Sequence, residues 1–223
     1  MSAIVESSAF IEKFRERCLP EVSWGLGPEL NGSGYTSERA DLDLFKARAE
    51  AVGAQVQRVA TRQLAIELIV RLLNRERVGD MPHSYAVWAS GSMVGQVEKK
   101  KLEGAVPGLK FDVTRSLAAH AKVGISQMDW ALANTGTLVQ SADEVDKRLV
   151  STLPALHIAL ISTAALLPDL PSVLARVDPA KSAYLSFITG PSRSADIERV
   201  LTIGVHGPER LIIVLVDDLE VAA

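Results

Sequence analysis

The sequence predicts an α/β protein built on a mostly parallel sheet with helices on both faces. Apolar, strand-like runs alternate along the chain with segments of helical periodicity, which is the pattern of parallel strands joined by helical crossovers. The last run, LIIVLV at Leu211–Val216, is apolar throughout, as expected for a strand covered on both sides. No long linker interrupts residues 38–223, so we expect them to form a single domain.

Residues 1–37 are predicted to form a helical N-terminal arm followed by a flexible loop. Phe10, Ile11, Phe14 and Cys18 share one side of an amphipathic helix over 4–18. The stretch 19–37 is rich in Gly and Pro, which is typical of a mobile connector or of a lid over a site. Both interpretations stay open.

The other elements are expected in regular succession. Helices are predicted over 38–52, 61–75, 114–121, 166–177 and 194–201, with Thr61 and Thr114 as N-caps. Strands are predicted over 55–60, 84–90, 123–126, 137–139, 157–161, 183–188 and 211–216. Ligands of parallel sheets lie outside the carboxyl ends of the strands. That rule directs attention to the loops at 135–137, 141–148, 190–196 and 204–208.

Composition excludes several classes of protein. A net charge of −3 and a pI near 5.8 give no sign of a nucleic-acid-binding protein. The single cysteine, Cys18, excludes an internal disulfide and an iron–sulfur cluster held by this chain alone. No run is long and apolar enough to span a bilayer, and the first residues do not read as a secretory signal. We therefore expect a cytoplasmic protein without a membrane span.

Known catalytic and cofactor motifs are missing from the sequence. It contains no HExxH, no CxxC and no closely spaced His/Cys cluster, so we expect no metal site. It also contains no GxGxxG, no P-loop and no GxSxG elbow. Any site must therefore be built from individual loops.

The strongest local signal is the turn from Gly190 to Ser194. A strand that ends in Gly, followed by Ser192, Arg193 and a helix N-terminus, offers backbone N–H groups, hydroxyls and a guanidinium to an anion. An ordinary helix cap explains the same residues. Ser192 or Ser194 would then cap the helix, and its dipole would be complemented by two acids, Asp196 and Glu198.

Other candidate ligand contacts are Thr135, Gly136, Thr137, Ser141, Arg148 and Gly207. Gly136 allows close backbone approach, and a partly enclosed Arg148 needs a carboxylate from a ligand or from Asp129, Asp143 or Asp146. His157 and His206 are candidates for acid–base work, although histidines at strand edges are more often structural. For each residue the structural and functional interpretations stay open.

Taken in order, several segments resemble the lactate-utilization (LUD) domain family, and most closely its C-type members. They lie between about 120 and 217 and comprise GI at 124–125, Asp129, ALA at 131–133, TGTLV at 135–139, RLVS at 148–151, LP at 153–154, HI at 157–158, TGPSRSADIE at 189–198 and GVHGP at 204–208. The resemblance implies a fold similar to glucosamine-phosphate deaminase, ribose-phosphate isomerase and CoA transferases. It also implies a three-protein system that oxidises L-lactate, in which two partner proteins hold the iron–sulfur clusters and this chain holds no cofactor.

Three functional hypotheses follow. The first is an accessory component of that lactate-oxidising system, which binds a small carboxylate or phosphate where Thr137, Arg148, Arg193 and His206 line a common hollow. The second is a free-standing isomerase- or CoA-transferase-like enzyme, with Asp129, Asp196 or Glu198 as base or nucleophile and His206 as proton donor. The third is a non-catalytic regulatory module that binds a ligand. Whether the chain is an enzyme stays open.

Overall fold

The computed structural model describes residues 38–178, 182, 184–195, 201–203 and 207–219. The predicted arm and loop over 1–37 lie outside these residues. In chain order the described strands are β1 (Gln55–Val59), β2 (Tyr85–Trp88), β3 (Leu109–Lys110), β4 (Ala121–Gln127), β5 (Trp130–Leu132), β6 (Thr137–Ser141), β7 (Leu156–Ser162), β8 (Leu166–Leu167), β9 (Leu185–Ile188), β10 (Arg193–Ala195), β11 (Leu201–Ile203) and β12 (Arg210–Val216). The described helices are α1 (Glu38–Ala51), α2 (Arg62–Arg75), α3 (Gln96–Ala105), α4 (Arg115–Ala119), α5 (Val145–Thr152) and α6 (Leu170–Leu174).

The main sheet confirms the predicted fold class. It has six strands in the order β1-β12-β7-β4-β2-β3, and all its pairings are parallel. The central strand β7 is buried along its whole length, as is all of β12 after Arg210. Such strands need cover on both faces, which explains the uninterrupted apolar run at Leu211–Val216.

Both faces of the main sheet carry a hydrophobic core. On one face, α2 and α3 pack on the sheet through a cluster that includes Ile69, Leu73 and Leu102. The other face is covered by α1, with Phe45 and Ala49 fully buried, and by α5, with Val150 fully buried. The Thr61 hydroxyl accepts a hydrogen bond from the backbone N–H of Leu64, as expected for the N-cap of α2.

A second, smaller sheet lies beside α1 on that face. Its order is β8-β5-β6-β9, and its β5–β6 and β6–β9 pairings are antiparallel. The predicted strand over 137–139 belongs to this sheet, as does β9 within the strand predicted over 183–188, whereas we expected both in the parallel sheet. Because β9 belongs to the second sheet, the loop that follows it does not start at the carboxyl edge of the main sheet, where we expected the ligand site.

Two predicted helices are corrected by the structure. A helix over 194–201 is wrong, because β10 and β11 pair antiparallel, with Ala195 opposite Leu201. The β-branched residues Thr202 and Ile203 favour such pairing. A helix over 166–177 is also too long. Pro168 disfavours helix at the residue before it, so Leu166–Leu167 pair with β5 and only α6 is helical.

Among the described residues no helix is both long enough and apolar enough to cross a membrane.

Candidate functional site

A hollow of about 350 Å³ brings several of the predicted ligand contacts together. Its lining includes Gly190, Ser192, Arg193 and Gly207, which are distant in the sequence from the other wall at Ser151 and Thr152. The remaining lining residues are Ser186, Phe187, Ile188, Thr189, Pro191 and Pro208. A volume of this size accommodates a small molecule. We call this cavity the hollow.

The hollow lies at the amino ends of the central strands. Ser192 donates its backbone N–H to the carbonyl of Pro208, which precedes β12, at 2.8 Å. Glu209 in turn donates to the carbonyl of Ala155, which precedes β7, at 2.8 Å. We expected the 190–196 and 204–208 loops at the carboxyl edge of the main sheet. For the residues of these loops that the structure describes, 190–195 and 207–208, that expectation is wrong. Its cause is that β9, which leads into the first loop, belongs to the second sheet.

Arg193 reaches from the hollow to the end of helix α1. Its guanidinium donates a hydrogen bond to the carbonyl oxygen of Val52, the residue after the helix. A cation at a helix C-terminus satisfies an unpaired carbonyl and complements the helix dipole. Gly190 approaches the same carbonyl, with φ +74°, and a Cβ there would lie 2.7 Å from Val52 O. Arg193 thus has a structural contact, while other N–H groups of its guanidinium remain for a ligand.

The turn over 135–137 packs against α1. Gly136 has φ +66°, and a Cβ at this position would lie 2.3 Å from the backbone nitrogen of Ala49. Thr137 is buried and its hydroxyl lies 2.8 Å from that of Thr189, a residue of the hollow's lining. Thr135 is exposed. Gly136 is therefore needed for close packing, and only Thr137 connects this turn to the hollow.

Arg148 and Ser141 are placed elsewhere. The Arg148 guanidinium donates to the carbonyl oxygen of Ala142 at 2.7 Å and lies over the Tyr184 ring, 5.2 Å from its centroid. These contacts involve a carbonyl and a ring, whereas the sequence led us to expect a carboxylate. Ser141 donates its backbone N–H to Asp129 at 2.6 Å. Neither residue is part of the lining of the hollow.

Three residues to which we assigned chemistry, Asp196, Glu198 and His206, lie outside the described residues, and the side chain of Ser194 is likewise not described.

His157 is fully buried in β7, where its Nε2 lies 2.8 Å from the hydroxyl of Ser126 on β4. Burial lowers the pKa of His157 to about 4, so the ring is neutral at physiological pH. This geometry makes His157 a structural histidine.

The carboxyl edge of the main sheet carries polar groups that sequence reasoning did not bring together. The loop after β2 is tied to the start of α5, because the Ser90 N–H donates to Asp146 at 2.7 Å and its hydroxyl donates to Glu144. Asp129 lies just after β4, and burial raises the pKa of its carboxyl despite the Ser141 N–H and the Lys147 ammonium. The signal available in the sequence was the Ser-Gly-Ser loop after the correctly predicted strand β2.

Ser90 and Asp129 lie at the carboxyl ends of β2 and β4, between which the order of the strands in the main sheet changes direction. Crossovers from β2 and from β4 lead in opposite directions along the sheet, since β3 lies beyond β2 while β7 lies beyond β4. In open parallel sheets such a switch point at the carboxyl edge forms a crevice for ligands. Among the described residues no three His, Cys, Asp or Glu side chains form a group that could hold a metal ion.

Comparison with known proteins identifies the family. Lactate utilization protein C of Exiguobacterium sp. is 42% identical over 48% of this chain and 50% of its own length. The protein of the same name from Macrococcus caseolyticus is 39% identical over 46% and 47%, so the chain spans about half the length of these two relatives. Lactate utilization protein C 1 of Bacillus mycoides aligns over 96% of this chain and 95% of its own, at 26% identity.

A solved structure shares the fold. The crystal structure of a DUF162 family protein from Deinococcus radiodurans has a TM-score of 0.57 and 18% identity, and the match covers 81% of this chain and 98% of that one. The family model of the LUD domain matches residues 42–216, a range that begins in α1 and ends with β12. The chain belongs to the LUD domain family.

Proposed function

We propose that this protein is a component of a cytoplasmic L-lactate utilization system. The observation that carries the proposal is the set of curated relatives named lactate utilization protein C, one of which aligns over almost the full length of both chains. In this proposal iron–sulfur partner proteins carry the electrons, because a single cysteine cannot ligate a cluster. This chain acts as the accessory subunit and binds a small anionic ligand.

The hollow is the place we assign to that ligand. It has room for a small carboxylate or phosphate, and Arg193 places a guanidinium at its wall. The hydroxyls of Ser151 and Thr152, two residues of its lining, donate to the Arg148 carbonyl in the last turn of α5, at 3.3 and 2.6 Å.

The first experiment measures binding of L-lactate, pyruvate and inorganic phosphate by calorimetry. We expect one of these anions to bind, and Arg193→Ala to weaken it at least tenfold. Arg176→Ala is the matched control, since Arg176 is also exposed and also donates to a helix carbonyl, that of Ser172 at 2.8 Å. An equal loss of anion affinity in both variants, or no binding of any of the three anions by the wild type, would contradict the assignment of the ligand to the hollow.

The second experiment tests the assembly itself. The purified chain is mixed with the cysteine-rich proteins encoded beside it, and lactate-dependent reduction of an electron acceptor is followed. We expect activity to need all components and to be lost when this chain is omitted. An unchanged rate without this chain would contradict the accessory role, whatever the outcome at the hollow.

A free-standing isomerase- or CoA-transferase-like enzyme is the second candidate, and Asp129 favours it. A carboxyl whose pKa is raised by burial is better matched to acid–base chemistry near neutral pH than an exposed one. Here the expected outcome is turnover of a sugar phosphate or a CoA thioester, abolished by Asp129→Asn and retained by Asp112→Asn at an exposed position. A chain inert toward both substrate classes would exclude this candidate.

A further inference from the structure

The hollow lies along an edge of the second sheet. Strand β9 comes last in the order β8-β5-β6-β9, and in the part of the chain that the structure describes only β6 pairs with it. The consecutive residues Ser186–Thr189 all line the hollow. Side chains of consecutive strand residues point to opposite faces of a sheet. A cavity that touches four such residues in a row therefore lies against the edge of the strand.

The pairing with β6 shows which backbone groups of β9 point to this edge. Ala142 donates its N–H to the carbonyl oxygen of Tyr184 at 2.9 Å, so Tyr184 bonds toward β6. Val139, opposite Phe187, instead accepts the N–H of Asp129 on the β5 side, at 3.0 Å. The backbone groups of successive strand residues alternate between the two edges. The N–H and C=O of Phe187 therefore point away from β6, toward the hollow.

A cation lies just beyond the end of β9. The Arg193 guanidinium donates to the carbonyl oxygen of Val52, and a Cβ on Gly190 would lie 2.7 Å from that same oxygen. The guanidinium is therefore near Gly190, two residues after the strand. A guanidinium has five N–H donors, and this bond uses one of them. An edge of backbone donors and acceptors that leads to a cation is complementary to an extended chain that ends in a carboxylate.

We infer that the hollow binds the carboxyl-terminal tail of a partner protein as an extra strand parallel to β9. Because the tail runs parallel to β9, its terminal carboxylate arrives at Arg193. Ser186–Thr189 extend over about 13 Å, which matches a tail of about four residues. An apolar residue of the tail covers Phe187, whose side chain is 44% exposed. This inference rests on the anion site of the proposed function and identifies its anion as the end of a protein chain.

Two features favour a chain end over other occupants. The last turn of α5, at Ser151 and Thr152, forms the other wall of the hollow. A strand that belongs to the sheet of a second copy would meet this helix, whereas a single extended chain does not bring a folded sheet with it. The side chains of a paired strand point above and below the sheet, while Arg193 lies beyond the end of β9. A main-chain carboxylate is therefore favoured over an acidic side chain.

The first test uses the full chain and a pool of fluorescein-labelled hexapeptides with mixed apolar residues at the last four positions. Fluorescence anisotropy compares the pool with a free carboxyl end and the same pool with an amidated end. We expect the wild type to bind the free-acid pool at least tenfold more tightly than the amidated pool. Arg193→Ala should remove this difference, and the control Arg176→Ala should keep it.

A pair of variants at one position tests the addition of a strand. Phe187→Pro and Phe187→Thr both remove the ring, but only proline also removes the N–H that points to the hollow. Proline is tolerated at the edge of a sheet when its missing N–H faces outward. We expect Phe187→Pro to bind the free-acid pool at least tenfold more weakly than Phe187→Thr, with both variants folded by circular dichroism. If Phe187→Pro does not fold, the two pools and Arg193→Ala decide.

Three peptide results overturn the inference: no binding of the free-acid pool by the wild type, equal binding of the amidated pool, or equal affinity of the two folded Phe187 variants. A wild-type homodimer in sedimentation that Phe187→Pro dissociates also overturns it, because a second copy then occupies the edge. Binding of L-lactate, pyruvate or phosphate by a protein that binds no peptide overturns this inference alone and leaves the anion site of the proposed function in place.

Discussion

The Ser126–His157 pair places a titratable ring in the middle of the main sheet, fully shielded from solvent. Burial lowers the pKa of His157 to about 4, whereas its ordinary value is 6.5. Between these two values the unfolded chain binds a proton that the native protein does not bind. The free energy of unfolding should therefore fall by roughly 3 kcal/mol as the pH drops from about 6.5 to about 4, with no contribution above pH 7.

Urea denaturation of the wild type and of His157→Gln at a series of pH values measures this effect. Glutamine does not titrate, so the variant should be less stable at pH 7 but should lose less stability on acidification. Parallel pH profiles for the two proteins would show that His157 does not titrate as its burial demands.

At the scale of elements, the contact between the 135–137 turn and α1 depends on a glycine. Gly136→Ala combines a positive φ with a Cβ 2.3 Å from the backbone of Ala49, so we expect a loss of more than about 1 kcal/mol in stability. Gly104 lies in α3, and a Cβ at that position would have nothing within 4 Å, so Gly104→Ala should instead stabilise by about 0.5–1 kcal/mol. Thermal unfolding of both variants tests the pair, and a stable Gly136→Ala protein would contradict the packing.

Elements were predictable where a local pattern decides them. Thr61 is the N-cap of α2 because its hydroxyl accepts a hydrogen bond from a backbone N–H in the first turn of that helix. The apolar run at Leu211–Val216 is buried because this strand lies inside the main sheet. The 194–201 region misled us because serines and acids suit a helix start, while the strand pairing of Arg193 with Ile203 is not local. The hollow was misplaced for a related reason, since the sequence did not reveal that β9 joins the second sheet.

At the scale of the whole molecule, strand order determines which distant residues meet. Gly190, Ser192, Arg193 and Gly207 were predicted to share a site, and the structure brings them to one hollow. The Ser126–His157 contact was not predicted, because it depends on β4 lying beside β7. Sequence motifs thus named several residues that line the hollow, whereas contacts between neighbouring parallel strands could not be predicted from the sequence.

The most direct test of the proposed role is deletion of the gene for this chain in its native host, followed by growth on L-lactate as sole carbon source. We expect growth on lactate to fail, growth on pyruvate to continue, and the intact gene supplied in trans to restore growth on lactate. Normal growth of the deletion strain on L-lactate, in a host with no second copy, would contradict the proposal.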